Sequence, residues 1–336
     1  MKKNIVIRAS KKILGLAHRY CKLVIIRPLF AIDFLIAKRK THRNTTLACY
    51  RYPFISSKKN ICIFSHFDRD NVIDSYVLHY LKELSGQDCD IIFVTTSRYL
   101  SLDQRKKLQP FCHKIIIRKN TGRDFGAFKS GIQAIENLAF YNKVILANDS
   151  VYGPLYPLDK IIHYGDQMQL DMWGATDSFA NQYHIQSYFI VFSKPLIQHL
   201  VFGEFWRHLP DLYFRDNIIH RYEIGMSQFF IKKGFKLGAY CPYLRIKESL
   251  QNIPLDFDYL LRKVPLNPTH YFWNILVSDH CFPFLKRELI SRNPEHLDIT
   301  HWPDFLKKYT RYNPDLIQQH LNRLAGISST TRMESS

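Results

Sequence analysis

Residues 144–150 read VILANDS, an apolar run that ends in three polar side chains. Four consecutive apolar residues are typical of a strand that is buried on both faces, as in a parallel sheet. Ligands of such sheets bind beyond the carboxyl ends of the strands, so Asn148, Asp149 and Ser150 are expected at a ligand-binding edge. Asp149 either holds a divalent ion such as Mg²⁺ or Mn²⁺ against a diphosphate, or caps the following turn.

The chain around this run alternates strand-like and helix-like segments. Short apolar runs predict strands, and apolar residues at every third or fourth position predict helices. The predicted strands are 61–64, 90–95, 114–117 and 144–147, and the predicted helices between them are 72–81, 102–108 and 125–138. This order predicts an α/β protein with a Rossmann-like, mostly parallel sheet and helices on both faces.

A second polar loop, residues 118–124, joins the third predicted strand to a helix. Thr121 and Asp124 have the spacing of a capping box. Free N–H groups at the helix start, with flanking lysine and arginine, suit a diphosphate, although a capped helix with solvated cations has the same pattern. The candidate binding residues of this loop are Asn120, Thr121, Gly122, Arg123 and Asp124.

Two further predicted strands, 171–178 and 184–192, carry side chains that suit a sugar. An exposed tryptophan would stack on a sugar ring, and the polar side chains would bind its hydroxyls. In the alternative, the tryptophan belongs to the core and the histidine is a buried, hydrogen-bonded imidazole. The candidates are Trp173, Thr176, Asp177, His184 and Gln186.

Glu223 opens a predicted helix over residues 222–230, which ends at a basic turn and Gly234. A carboxylate in the first turn of a helix is stabilised by the helix dipole, which is a structural reason for an acid at this position. A general base that points into a cleft would have the same sequence signature.

Basic residues are concentrated near the N-terminus. Residues 1–60 contain 15 Lys and Arg and one acid, a net charge of +14, whereas the remaining residues carry +4. A nearly neutral body does not favour a polyanion, so no nucleic acid partner is expected. Seven scattered cysteines without a C-x-x-C pair exclude a standard zinc site and a disulfide framework, and favour a reducing, cytoplasmic setting.

Residues 1–40 form a predicted basic arm with amphipathic helical spacing. No window reaches the roughly 18 apolar residues of a spanning helix, and charges interrupt any secretory signal. We expect this arm to lie on an anionic membrane surface, at the inner face of the cytoplasmic membrane; packing on the body or on a partner protein is the alternative. The predicted organisation is an arm and linker (1–59), a core (60–250) and a helical extension with a polar tail (251–336).

Six segments in this order resemble the rhamnan-synthesis protein F family of bacterial polysaccharide biosynthesis. They are KNTGRDFGAFKSGI (119–132), VILANDSVYGPLYPL (144–158), DMWGATDS (171–178), HIQSYFIVFSKPLI (184–197), RYEIGMSQFFIKKGF (221–235) and NPTHYFWNILVSDHCFPFLKRELISRNP (267–294). The segment order is also similar to the nucleotide-sugar-binding fold of the type A glycosyltransferases.

This resemblance implies a glycosyltransferase, such as a rhamnosyltransferase, and we expect the transfer to invert the anomeric configuration by direct displacement. The enzyme would move a sugar from a nucleotide-sugar donor to a lipid-linked saccharide acceptor, in the synthesis of a cell-surface polysaccharide or lipopolysaccharide O-chain. Loops 120–124 and 148–150 would hold the donor, and Glu223 would be the base. The acidic motif of the type A pattern usually has two carboxylates, whereas this chain has only Asp149 at that position. If no metal is bound there, Arg123, Lys119 or Arg69 would stabilise the leaving diphosphate. The alternative class is a non-catalytic partner of a polysaccharide-synthesis complex.

Overall fold

A computed structural model describes residues 27–40, 45–52, 58–249 and 267–333. The amphipathic helix that the sequence predicts over residues 8–22 lies outside these ranges. Within them, none of the helices combines the length and the apolar character that a membrane span requires.

The strands that the structure describes are short and mostly buried. They are β1 (Thr46–Arg51), β2 (Asn60–His66), β3 (Cys89–Thr95), β4 (Lys114–Arg118), β5 (Lys143–Asn148), β6 (Val151–Tyr152), β7 (Met172–Ser178), β8 (His184–Ile185), β9 (Phe189–Ser193), β10 (Leu237–Cys241) and β11 (Leu285–Lys286).

The α-helices flank the sheet and continue into the C-terminal segment. They are α1 (Arg27–Lys40), α2 (Ser75–Ser85), α3 (Leu102–Leu108), α4 (Arg123–Gln133), α5 (Asp159–Met168), α6 (Lys194–Gln198), α7 (Leu200–Arg207), α8 (Arg215–Ile218), α9 (Gly225–Lys232), α10 (Tyr243–Ser249), α11 (Pro268–Tyr271), α12 (Trp273–His280), α13 (Arg287–Ser291), α14 (Trp302–Tyr309) and α15 (Asp315–Met333). A π-helical stretch, Ile219–Ile224, joins α8 to α9.

Nine strands form one mixed sheet in the order β1-β4-β3-β2-β5-β9-β7-β10, with β8 paired to β7. Strands β4, β3, β2 and β5 are parallel, and β10 is parallel to β7. Strand β9 runs antiparallel between β5 and β7. The predicted fold class, an α/β protein with a mostly parallel sheet, is confirmed.

Both faces of the sheet are buried, each against its own set of helices. Side chains alternate along each strand, so Cys62 and Phe64 of β2 pack into one core, whereas Ile61 and Ile63 pack into the other. The first core also contains side chains of the C-terminal segment, among them Phe284. The C-terminal helices therefore cover one face of the sheet.

Three elements differ from the sequence-based predictions. Strand β1 lies in a segment predicted to be a polar linker; it is an edge strand, antiparallel to β4, with every residue exposed or half-buried. The helix predicted over 125–138 ends at Gln133. The segment 284–290, predicted to be helical, begins instead with β11, which pairs with β6.

Candidate active site

A cleft of about 320 Å³ opens at the carboxyl ends of β5 and β4. Strand β9 is antiparallel to β5 and begins where β5 ends, with Phe189 opposite Ala147. The residues that precede β9 therefore lie beside those that follow β5. The lining includes Arg123, Asp124, Asn148, Ser150, Gln186, Ser187, Tyr188, Arg215, Glu223, His270 and Lys286.

Glu223 lines this cleft and contacts Ser187, one of the residues that precede β9. The backbone N–H of Ser187 donates to its Oε2 at 3.2 Å, and the Ser187 hydroxyl donates to the same oxygen. The other oxygen, Oε1, lies 3.6 Å from Nε2 of His184. Glu223 therefore has one oxygen held by Ser187 and a second that accepts no hydrogen bond among the described residues.

The position of Glu223 in its helix corrects a sequence-based expectation. The helical stretch begins at Arg215, not at Tyr222, and Glu223 lies inside the π-helical turn. The dipole of a helix start therefore does not explain this acid. A π turn contains one extra residue, which rotates the following side chains by about 100° around the helix axis, and such turns are frequent at functional sites.

The three polar residues after β5 have different partners. Asn148 accepts hydrogen bonds from the N–H and the hydroxyl of Ser150, which tightens the turn. Asp149 Oδ2 accepts from the N–H of Phe67 at 3.3 Å and from Nη1 of Arg287 at 3.2 Å. Asn148 and Ser150 line the cleft, whereas Asp149 is not among its lining residues.

Asp124, in the first turn of α4, also lines the cleft. Its Oδ1 accepts from the hydroxyl of Ser65, at the end of β2, at 2.8 Å. Burial raises the pKa of Asp124 to about 6, with the hydrogen bond from Ser65 acting in the opposite direction and the charge of Asp149 adding to the rise. A perturbed carboxyl in a cleft is a common mark of a functional site.

The capping box predicted at Thr121 is not formed. Gly122, in the left-handed region at φ 71°, is the N-cap residue of α4 and provides no side-chain cap. The Thr121 hydroxyl donates instead to Asp211 at 2.9 Å, as does Arg118 at 2.6 Å. A Cβ on Gly126 would lie 2.3 Å from the Thr121 carbonyl oxygen, so this loop packs directly on the helix.

Asn120, Thr121 and Gly122 consequently do not line the cleft, whereas Arg123 and Asp124 do. Thr121 and Lys119 line a separate, larger cavity of about 700 Å³ between α1 and β4. That cavity lies away from the carboxylates of the cleft. Arg69 is exposed and does not line the cleft either.

Trp173 does not stack on a ligand. Its side chain is fully buried against Gly165 of α5, and its indole N–H donates to the Ile161 carbonyl at 2.7 Å. The alternative interpretation, a core tryptophan, is therefore correct. Thr176 is buried as well, and its hydroxyl bonds Gln186 and Tyr188.

Two other residues that were predicted to bind the saccharide acceptor contact protein atoms instead. Asp177 accepts from the Tyr243 N–H at 2.6 Å. His184 is buried and contacts the Gln182 carbonyl through Nδ1, with Nε2 facing Glu223. Of the five residues predicted to bind the acceptor, only Gln186 lines the cleft.

Sequence reasoning missed Ser187, Lys286 and Arg287. Pairing of β11 with β6 places Lys286 opposite Val151, and the Arg287 N–H bonds the Ser150 carbonyl at 3.0 Å. Arg287 also donates to the Tyr76 hydroxyl at 2.8 Å. For Lys286 and Arg287, the only sequence signal was their position as a Lys-Arg pair directly after an apolar run, in a segment interpreted as a separate extension.

The surroundings of Asp149 suit a guanidinium better than a divalent cation. One carboxylate oxygen of Asp149, Oδ2, already accepts two N–H groups, and one of them belongs to the positively charged Arg287. Across the described ranges, no three His, Cys, Asp or Glu side chains are grouped as a metal site. The contacts of Asp149 therefore do not support its predicted role as a ligand of Mg²⁺ or Mn²⁺.

The mixed, mostly parallel sheet with helices packed on both faces defines an α/β protein. The family model for rhamnan synthesis protein F matches residues 91–335, and the chain therefore belongs to that family. The family description places the chain in polysaccharide synthesis.

Two curated relatives illustrate the range of similar proteins. The chain is 27% identical to the virulence protein VirA of Vibrio anguillarum over 282 residues, which cover 79% of this chain and 88% of VirA. It is 29% identical to the uncharacterized protein y4gN of Sinorhizobium fredii over 204 residues, 58% of this chain and 53% of y4gN.

Solved structures show weaker similarity. Residues 1–349 of Staphylococcus aureus TarS in complex with UDP share 12% identity at a TM-score of 0.35, covering 74% of this chain and 78% of that one. The mannosyltransferase PcManGT of Pyrobaculum calidifontis, in complex with GDP-Man and Mn²⁺, shares 9% identity at a TM-score of 0.35, with 71% and 73% covered.

Proposed function

We propose that this chain transfers a sugar, rhamnose being the first candidate, from a nucleotide-sugar donor to a lipid-linked saccharide acceptor with inversion at the anomeric carbon. Membership of the rhamnan synthesis family supports the sugar and the polymer. The observation that carries the mechanism is the shared cleft, which is lined both by Glu223 and by the loops after β4 and β5.

In this mechanism Glu223 accepts the proton of the attacking acceptor hydroxyl. Ser187 fixes Oε2 through two hydrogen bonds, so Oε1, which lies 3.6 Å from His184 Nε2, is the oxygen left to accept the proton. The acceptor oxygen bonds to the anomeric carbon, the bond from that carbon to the diphosphate breaks, and the electron pair leaves with the nucleoside diphosphate. Assistance by a positioned base typically contributes about 10²–10⁴-fold to the rate.

A donor screen tests this function. The protein is incubated with UDP-, GDP- and dTDP-sugars, with and without a lipid-linked acceptor extract, and the release of nucleoside diphosphate is measured. We expect one donor to be consumed at a rate that depends on the acceptor. If no donor is consumed and calorimetry detects no binding of any donor, the protein is instead a non-catalytic partner of a synthesis complex.

We further propose that α1 docks on an anionic membrane surface, where a lipid-linked acceptor would be found. Four apolar side chains of α1 point to solvent with 41–58% of their surface exposed, and three cations close the helix. These are Leu29, Ile32, Leu35 and Ile36, followed by Lys38, Arg39 and Lys40. Exposed apolar residues beside cations are typical of helices that lie in the plane of a membrane.

The opposite face of α1 is anchored to the helical stretch that carries Glu223. Asp33 accepts from the Tyr213 N–H at 3.0 Å and from the Asn217 amide at 2.8 Å. Asn217 belongs to α8, which leads directly into the π turn. A membrane bound by α1 would therefore lie at a fixed orientation to the cleft.

Sedimentation with phosphatidylglycerol vesicles tests this docking. The double variant Ile32→Ser/Leu35→Ser alters only exposed side chains, unlike a deletion of α1, which would uncover its buried face. We expect the variant to lose most of its pelleting and Leu102→Ser, an exposed leucine of α3, to pellet like the parent. Equal pelleting of all three proteins would refute the docking face.

A further inference from the structure

Two consecutive cations of the C-terminal segment lie beside the β5 loop, and the first of them, Lys286, lines the cleft. Strand β11 runs antiparallel to β6, and the pairing continues through the bond from the Arg287 N–H to the Ser150 carbonyl. Lys286 lines the cleft together with Glu223 and Asp124. Arg287 contacts Asp149 and Tyr76.

The guanidinium of Arg287 lies against the carboxylate of Asp149, the residue that the sequence offers as a ligand of a divalent ion. The Asp149 side chain is only 8% exposed, and its Oδ2 already receives N–H groups from Arg287 and from Phe67. A doubly charged ion bound to the same oxygen would lie within a few ångströms of the guanidinium. Repulsion at that distance opposes its binding, because the buried surroundings screen charges weakly.

Lys286 supplies a second positive charge, and this one faces the cleft. Its Nζ lies 3.9 Å from the centroid of the Tyr188 ring, which is cation–π geometry. Nζ donates no hydrogen bond to any of the residues that the structure describes, so its three donors are available to a ligand. Burial lowers the pKa of Lys286 to about 8, while the charges of Glu223 and Asp124 act to raise it. The ammonium form therefore still predominates at neutral pH.

The other cations of the cleft are more exposed. Arg123 is exposed and 62% of the Arg215 side chain is accessible to solvent, so water screens their charges. Arg123 is the one cation predicted from the sequence that lines the cleft.

We propose that Lys286 binds the diphosphate leaving group and that transfer proceeds without a divalent metal, with Arg287 as the positioning residue that neutralises Asp149. This inference rests on the proposed function. As the bond between the anomeric carbon and the phosphate oxygen breaks, the electron pair passes to that oxygen. The charge that develops there is stabilised by the Lys286 ammonium, while the acceptor proton passes to Glu223.

Calorimetry with inorganic pyrophosphate and with UDP, GDP and dTDP in EDTA tests the binding part. We expect the parent to bind at least one diphosphate in EDTA. Lys286→Met should weaken that binding by at least about 10-fold, Lys286→Arg should recover part of it, and Lys232→Met, which removes an exposed lysine of α9, should bind like the parent. Undiminished binding by Lys286→Met would overturn the assignment.

Turnover of the donor found in the screen tests the remaining part. We expect activity to survive EDTA and Lys286→Met to lose about 10²-fold, in keeping with the loss of one group that stabilises a developing oxyanion. Melting temperatures show whether the variant is folded, and replacing this half-buried ammonium by an apolar chain should not lower them. If turnover requires added Mg²⁺ or Mn²⁺, the metal-free inference fails but the transferase function stands. If no donor turns over with or without metal, both fail.

Discussion

Two groups of carboxylates lie at the same edge of the sheet, and each is contacted by an arginine of the C-terminal segment. In the cleft group, Arg287 contacts Asp149, while Asp124 and Glu223 line the cavity. In the second group, after β2, Arg323 of α15 donates to Asp68 at 2.6 Å, to Asp74 at 2.6 Å and to Asp70 at 3.2 Å.

The difference lies in how many hydrogen bonds the carboxylates accept. Asp68 Oδ1 accepts the N–H groups of Asp70 and Val72, and Oδ2 accepts from Arg323. Burial acts to raise the pKa of Asp68, but these bonds outweigh it and the pKa is lowered. None of the second group lines the cleft. A saturated carboxylate stabilises the fold, whereas one with an open oxygen beside a cavity can accept a proton from a ligand.

The largest effect is expected from a substitution of Glu223, and it should appear in the turnover rate and not in stability. Glu223→Gln preserves the size of the side chain and its contact with Ser187 but removes the base, so we expect the turnover rate to fall about 10²–10⁴-fold with an unchanged melting temperature. Glu204→Gln, at an exposed position of α7, is the matched control. Parent-like turnover by Glu223→Gln would remove Glu223 from the mechanism.

Arg323→Ala addresses the second group. The substitution leaves Asp68 and Asp74 without their partner, and we expect it to lower the free energy of unfolding by about 3 kcal/mol at pH 7, a value reduced for the partial exposure of Arg323. Arg292→Ala, whose side chain is 78% exposed, should change it by less than about 0.5 kcal/mol.

The Arg323 effect should also depend on pH. The folded-state pKa of Asp68 is lowered, so its contribution is present above the unfolded pKa of about 4 and is lost as the pH falls through the folded value. Chemical denaturation of both proteins at several pH values measures this. A difference between parent and variant that stayed constant down to pH 2 would contradict the role of Asp68.

His320, in the same group, provides a second pH test. Burial lowers its pKa to about 4, against the charge of Asp74. The unfolded chain, with a histidine pKa of about 6.5, binds the proton more tightly, so stability is present above pH 6.5 and decreases as the pH falls toward 4. Between pH 6.5 and pH 4 we expect the free energy of unfolding to fall by about 2 kcal/mol less in His320→Gln than in the parent. In His163→Gln, a substitution at an exposed position, it should fall as much as in the parent.

The smallest effect concerns Trp173. Trp173→Phe leaves the Ile161 carbonyl without its donor and should lower the free energy of unfolding by about 1 kcal/mol. The apparent KM for the acceptor should not change, because the ring is buried away from the cleft. A raised acceptor KM at unchanged stability would restore the sugar-stacking role.

The parallel strands were predictable because each is a continuous run of apolar residues, and such a run indicates a strand that is buried on both faces. Strand β1 was not, since a half-exposed edge strand lacks that signal. Helix 102–108 was predicted with its observed bounds, whereas the segment at 284–290 was not. The pairing of β11 with β6 is a contact between distant residues that no local pattern records.

The site, like the fold, was predicted only in part. Asn148, Ser150, Asp124 and Glu223 were chosen because they follow strands or start a helix, and the structure brings them to one cleft. Trp173 was placed wrongly because the exposure of an aromatic ring depends on what packs against it, here Gly165 of α5. Lys286 was missed because its place in the cleft depends on β11.

The most direct test of the mechanism is the anomeric configuration of the product, measured by NMR against that of the donor. A single displacement, with Glu223 on one side of the anomeric carbon and the diphosphate on the other, predicts an inverted configuration. A product that retains the donor configuration would contradict it.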